Sequence, residues 1–219
     1  MDRALILGAS RGLGAELVRA ACSATYPVVG FGRKQEPLRA LREKFPLFEY
    51  ATADFSTAAG QNAVLEQIKD SSFSKLIYVA GGGPYGDFGS KKWTAHEWAW
   101  EVTFKFPARV LHFLSEARRF EQVILVGSAV AESSGDKNAA SYASAKHALK
   151  GLWSSLRLDY PDWDLRLFSP GYMNTELLPA NAPVREKGVY SPRDVAEELW
   201  TWSLSADNGG HRVYPKHPV

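Results

Sequence analysis

The first turn of this chain does most to limit what it can fold into. Ala4-Leu5-Ile6-Leu7 is a short apolar run of strand type, Gly8-Ala9-Ser10-Arg11-Gly12-Leu13-Gly14 follows it, and Ala15-Glu16-Leu17-Val18 then takes up a helical pattern. Glycines clustered between a strand and a helix permit a tight turn and close packing of the helix on the strand. They also leave the amide donors and positive dipole end of the helix N-terminus open to an anion such as a pyrophosphate. The alternative is an ordinary glycine-rich turn, so the rest of the chain has to decide.

It repeats the same alternation. Strands are expected over 3–7, 27–31, 47–51, 75–80, 122–127, 164–168 and 211–214, with helices over 12–23, 36–44, 58–69, 95–118, 140–159 and 192–204. Near-continuous apolar strands separated by helices require a parallel sheet covered on both faces. The expected fold is therefore α/β, a doubly wound parallel sheet (Rossmann fold) of about seven strands. With 219 residues, 45% of them hydrophobic, the chain can bury one sizeable core. We expect a single dinucleotide-binding catalytic domain over 1–219, with a short substrate lid over about 176–191.

Several functional classes fall away on composition. A net charge of +2 gives no reason to expect nucleic acid or a membrane surface as partner, and no apolar run is long enough to span a bilayer. Cys22 is the only cysteine, which excludes a disulfide or cysteine-metal framework within the chain. His96, His112, His147, His211 and His217 are scattered without ligand spacing, so no metal is expected. Met1-Asp2-Arg3 leads directly into the first strand, and a cytoplasmic location is the expectation.

Chemistry concentrates in the helix at 140–159. Tyr142 and Lys146 are four apart, so their side chains leave one face about a turn apart. An unperturbed phenol titrates near ~10, and a cation beside it lowers that value, which suits Tyr142 to proton transfer with a carbonyl oxygen. Ser128 follows the apolar run Val123-Ile124-Leu125-Val126, where its hydroxyl can donate a hydrogen bond to the same oxygen. Tyr-x-x-x-Lys also occurs in ordinary helices, so its neighbours must carry the reading.

A site for a ribose 2′-OH needs an acid at the end of the second strand. This chain has Gly32-Arg33-Lys34 instead. Two cations suit a 2′-phosphate, and Arg11 can add a third, so NADP(H) is the expected cofactor, bound at least about tenfold more tightly than its 2′-OH counterpart. An Asp in place of Gly32 is expected to reverse that preference. Arg33 and Lys34 as solvated loop charges are the alternative.

The spacing Gly8-x-x-x-Gly12-x-Gly14, with Ser128, Tyr142-x-x-x-Lys146 and Pro170-Gly171 in that order, resembles the short-chain dehydrogenase/reductase family over essentially the whole chain. The resemblance implies an NADPH-dependent oxidoreductase that reduces a ketone or aldehyde, with Ser128, Tyr142 and Lys146 catalytic. It implies a cofactor bed of Gly8, Ser10, Arg11, Gly12, Leu13 and Gly14; of Arg33 and Lys34; of Asp54 and Phe55 at the adenine; of Ala80, Gly81 and Gly82; of Tyr142 and Lys146; and of Pro170, Gly171, Met173 and Thr175. The family's catalytic Asn is replaced by Thr103. Because Pro107 cannot donate to the Thr103 carbonyl, that carbonyl is expected to serve a proton relay, with the Thr103 side chain mattering less. Tyr85, Phe88 and Trp93 are expected either in a substrate pocket or in core packing. A homodimer built on helices 95–118 and 140–159 is implied, with a tetramer as the further option, unless Trp98, Trp100 and Trp153 pack only within one chain. A non-catalytic NADP(H)-binding sensor and an epimerase or dehydratase of the same fold remain the alternatives.

Overall fold

The computed structural model describes residues 2–69, 73–117, 120–133, 135–206 and 210–218. Strands β1 (Ala4–Leu7), β2 (Val28–Gly32), β3 (Phe48–Thr52), β4 (Lys75–Tyr78), β5 (Gln122–Val126), β6 (Asp164–Ser169) and β7 (His211–Val213) form one sheet in the order β3-β2-β1-β4-β5-β6-β7. Every pairing is parallel, with Leu5 opposite Val29 of β2 on one side and Leu76 of β4 on the other. The strand order reverses between β1 and β4, and a crevice opens there beyond the carboxyl ends of the strands.

Helices α1 (Gly12–Ser23), α2 (Gln35–Lys44), α3 (Ala58–Lys69), α4 (Trp93–Trp100), α5 (Phe106–Ala117), α6 (Ala140–Asp159) and α7 (Pro192–Leu204) cover the sheet. The alternation within β1 shows why its sequence is apolar throughout. Leu5 and Leu7 face a core shared with Ile68, Leu111 and Leu149 of α3, α5 and α6, whereas Ala4 and Ile6 face a second core with Leu17, Leu38 and Leu199 of α1, α2 and α7.

Two departures from the sequence expectation shape the site. β4 stops at Tyr78 rather than 80, because the Val79 and Ala80 amides both turn to the Leu7 carbonyl at 2.8 and 2.9 Å. Gly8 makes that turn possible. Its φ is +106°, and a Cβ there would lie 2.6 Å from the Ala80 nitrogen.

The helix expected over 95–118 is interrupted, and residue 118 lies outside the described residues. Between α4 and α5, Glu101–Lys105 winds as a π-helical turn in which the Phe106 amide bonds to the Glu101 carbonyl, five residues back. In this wider register the N–H that Pro107 lacks would have faced Val102, not Thr103. The Val102 carbonyl instead accepts the Tyr78 hydroxyl at 2.7 Å, in a buried contact across 24 residues of sequence. Proline and π turn are thus matched by a phenol from β4.

Tyr78→Phe keeps the ring, which is 1% exposed, and removes the donor to Val102. Leaving that carbonyl buried and unpaired should cost about 1–3 kcal/mol in urea unfolding. A loss within experimental error would show that Val102 finds another donor.

Candidate active site

A cavity of about 880 Å³ opens at the β1/β4 switch, within the ~300–1,000 Å³ range of ligand and cofactor sites. Its floor begins where α1 begins. Arg11 caps that helix without a side-chain hydrogen bond, and no acid stands in the first turn, so the amide donors face the cavity free to bind an anion. Gly8, Ser10, Arg11, Gly12 and Leu13 line this end; Arg33, Lys34, Asp54 and Phe55 come from the ends of β2 and β3. Ala80 and Gly81, Tyr142 and Lys146, then Pro170, Met173 and Thr175 complete the bed.

Three residues expected in that bed lie outside it. A Cβ on Gly14 would sit 2.0 Å from the Gly8 carbonyl oxygen, so this glycine serves the packing of α1 on its own loop. Gly82 is covered by the Trp98 ring, 3.0 Å from where its Cβ would be. Gly171 turns towards the C-terminal segment, with the Pro215 carbonyl 2.3 Å from its Cβ position.

The charges also differ in detail. Arg33 and Lys34 stand at the cavity as expected, and the Arg33 guanidinium lies 5.8 Å from the centre of the Trp98 ring. The Trp98 indole N–H is buried without a partner among the described residues, and Trp98 lines the same cavity, where an acceptor oxygen reaching that N–H would satisfy it. Arg11 is not free: it pairs with Glu176 at 2.8 Å. An Asp at position 32 would bring its Cβ within 2.8 Å of the Ser10 Cβ, so it cannot simply replace Gly32 as expected. Asp54 caps its own turn, accepting from the Ser56 amide at 3.0 Å and hydroxyl at 2.7 Å. Burial raises its pKa, but those hydrogen bonds and the charge of Arg33 outweigh burial and hold it below the usual carboxylate value.

Tyr142 and Lys146 share one face of α6. Lys146 is 2% exposed and donates to the Val126 carbonyl at 2.6 Å, with its nitrogen 5.7 Å from the centre of the Tyr142 ring. Burial pushes the Lys146 ammonium down to about 7. Burial also raises the Tyr142 phenol above its ordinary value, as does the charge of Asp136, while a hydrogen bond with Ser128 lowers it. The net direction for the phenol is upward, opposite to the lowering expected from Lys146, whose nitrogen lies over the ring. Ser128 caps the 3-10 turn Ala129–Ala131, and its hydroxyl oxygen accepts only a long 3.4 Å contact from the Val130 amide. The same hydroxyl is within hydrogen-bonding reach of the Tyr142 phenol.

Thr103 enters through its side chain, contrary to expectation. Fully buried, its hydroxyl donates to the Gly82 carbonyl at 3.1 Å and accepts from the Gly82 amide at 3.0 Å. This reciprocal pair ties the π turn to the loop after β4.

A second pocket, about 80 Å³, adjoins the first and is lined by Ser128, Tyr85, Asp136 and Tyr172 among others. Tyr142 borders both. Phe88 and Trp93, expected in a pocket or the core, are 52% and 65% exposed and cover the buried His96 ring from outside, each tilted against it. Trp153 packs inside its own chain and donates to the Leu165 carbonyl at 3.1 Å. Sequence reasoning missed Arg185, which stitches the 176–191 segment by donating to the Thr175, Leu178 and Pro179 carbonyls. Its only signal was a lone arginine in a proline- and alanine-containing stretch. Among the described residues no three His, Cys, Asp or Glu side chains are placed to hold a metal ion, and no helix is long and apolar enough to cross a membrane.

Comparison with known proteins agrees with this geometry. The chain is 28% identical over 191 residues to the cyclic-di-GMP-binding biofilm dispersal mediator protein of Escherichia coli (strain K12), an alignment covering 83% of this chain and 77% of that protein. The crystal structure of BdcA in complex with NADPH superposes with a TM-score of 0.84 at 21% identity, covering 97% of this chain and 91% of that one. An alcohol dehydrogenase from the archaeon Thermococcus sibiricus, complexed with 5-hydroxy-NADP, superposes with a TM-score of 0.82 at 22% identity over 94% and 92% of the two chains. The family model described as short chain dehydrogenase matches residues 2–185, and with the glycine turn, Ser128, Tyr142 and Lys146 in place the chain belongs to the short-chain dehydrogenase family.

Proposed function

We propose that this protein is an NADPH-dependent carbonyl reductase that converts a ketone or aldehyde to an alcohol. The observation that carries the reading is the position of Tyr142 as the wall shared by the large cavity and the small Ser128-lined pocket. A proton donor there faces a cofactor on one side and a substrate on the other. The α1 N-terminus, Arg33, Lys34 and the unpaired Trp98 N–H suit a phosphorylated dinucleotide, and structures of the same fold hold NADPH or a modified NADP. When bound, the reduced nicotinamide supplies a hydride, a proton with two electrons, to the carbonyl carbon.

The chain's own residues do the rest. Ser128 donates a hydrogen bond to the carbonyl oxygen and fixes its position. Tyr142, held protonated by burial, gives its proton to that oxygen: the C=O π pair moves onto the oxygen as the carbon takes the hydride, and forms the new O–H bond. Lys146, when protonated, stabilises the phenolate left behind and returns a proton to it, and is itself reprotonated from solvent. The whole chain works as one catalytic unit, in the cytoplasm. A non-catalytic role is the second reading, favoured by the cyclic-di-GMP-binding relative and by Thr103 in place of the family's Asn.

Oxidation of NADPH against a panel of ketones, aldehydes, quinones and pterins separates the two, because the second reading requires NADPH binding with no turnover of any of them. Tyr142→Phe should keep NADPH affinity and lose on the order of 10²–10⁴-fold in kcat. A near wild-type rate in that variant would remove Tyr142 from the mechanism.

Cofactor choice rests on the two cations after β2. NADPH should bind at least about tenfold more tightly than NADH, a difference of about 1.4 kcal/mol, and Arg33→Ser with Lys34→Ser should abolish most of that margin in a fluorescence titration. Equal affinities in the wild type would refute the assignment.

We also propose a homodimer. Phe88 and Trp93, beside and on α4, are 52% and 65% exposed, and Leu158 near the end of α6 is 83% exposed, apolar side chains that a second copy would cover. Light scattering should give twice the 24.2 kDa chain mass at micromolar concentration; a monomer mass there would count against it.

A further inference from the structure

We infer that the small pocket beside Tyr142 selects uncharged carbonyl compounds bearing a hydroxyl group away from the carbonyl, and that Asp136 and Tyr172 recognise that hydroxyl. The inference rests on the reductase reading for the carbonyl end and on independent geometry for the other.

The pocket that holds Ser128 and one side of Tyr142 also holds Asp136 and Tyr172. The Tyr172 hydroxyl donates its only proton to Asp136 Oδ2, and the Lys216 ammonium approaches Oδ1 at 3.4 Å. An ionised carboxylate only accepts hydrogen bonds and has about four acceptor positions. The phenol oxygen, its proton committed, likewise has only lone pairs to offer. Towards a ligand this end of the pocket is therefore an acceptor surface, and its complement is a donor.

The rest of the wall narrows the class. Val130, Ala139 and Leu178 are buried apolar neighbours in the pocket, and Lys216 touches the carboxylate without lining the pocket. A substrate carboxylate or phosphate would meet the Asp136 carboxylate with no Lys or Arg among the described residues lining the pocket to receive it, the Lys216 ammonium being engaged with Asp136 itself. A plain hydrocarbon would cover Asp136 and leave the acceptor positions not taken by Tyr172 and Lys216 without a donor. A hydroxyl satisfies them.

The recognition end is also held in place before a ligand arrives. The Tyr172 amide bonds to the Lys216 carbonyl at 2.8 Å, and the Tyr172 ring lies 5.0 Å from that of His217. The Tyr190 hydroxyl donates to the His217 carbonyl at 3.0 Å. The C-terminal segment thus fixes Tyr172 from behind, and Gly171, lacking a side chain, admits it.

The test compares a straight-chain methyl ketone, its ω-hydroxy analogue and the keto acid of equal length. NADPH oxidation is measured in the wild type, Asp136→Asn and Tyr172→Phe, and binding to the NADPH-loaded protein is followed in parallel by saturation-transfer NMR. The wild type should favour the hydroxyketone over the ketone by at least about tenfold in kcat/KM, with the keto acid poorest, and the ratio should fall towards one in both variants. Equal use of ketone and hydroxyketone, or preference for the keto acid, would overturn the inference. Hydroxyl-dependent binding without turnover would support the pocket assignment while overturning the reductase reading. Binding indifferent to the hydroxyl, or no binding at all, would overturn the assignment itself.

Discussion

The buried ammonium of Lys146 sets the terms for everything around it. Removing such an ion from water costs several kcal/mol unless it is well paired, yet its hydrogen bond runs to a backbone carbonyl, that of Val126, rather than to a carboxylate. Burial answers by pulling the group to about 7, so it changes charge easily near neutral pH. Its surroundings are built to leave it room. A Cβ on Gly81 would lie 3.3 Å from its nitrogen and 3.5 Å from the Thr103 hydroxyl. The end of β5, the loop after β4, the π turn and α6 thus meet around one cation. Each of the four has to be held by something other than that cation.

The holding contacts are polar and long in sequence. Thr103 grips Gly82 across 21 residues, and Tyr78 reaches Val102 across 24. The π turn is what aims both. An α-helical turn would direct Thr103 and the Val102 carbonyl elsewhere on the helix surface, because one extra residue per turn rotates every following side chain. The interruption between α4 and α5 is thereby tied to the site and not to helix flexibility.

This explains which parts could be read from the chain. The seven strands and the parallel, doubly covered sheet follow from local periodicity, and the glycine turn, Ser128, Tyr142 and Lys146 follow from spacing within or next to single elements. Arg33 and Lys34 were placed by the end of β2 alone. What escaped depends on contacts between distant segments. Pro107 was read against an α-helical register, which assigned the open carbonyl to Thr103; the structure shifts it by one residue, to Val102. Gly171 was assigned to a cofactor, because the C-terminal segment that presses on it lies more than 40 positions away. Phe88 and Trp93 carried no periodic signal that could separate a pocket wall from a surface stack.

Arg11 shows how an existing contact can coexist with the charge logic of a phosphate site. Its partner Glu176 belongs to the 176–191 segment, and the two side chains are 51% and 76% exposed. An ion pair that open contributes about 0–1 kcal/mol, since water screens it and two long side chains must be held still. A doubly charged phosphate offers arginine a bidentate, charge-assisted pair next to the amides of a helix N-terminus, a stronger arrangement on both counts. By that comparison a phosphate would compete well with Glu176 for Arg11. Binding there would also release a carboxylate from the mouth of the cavity, where its charge would oppose an anion. The rest of the segment does not depend on that pair, because Arg185 fastens it through three backbone carbonyls and the Asn174 side chain. One arginine can thus change partners while the other keeps the wall of the cavity in shape.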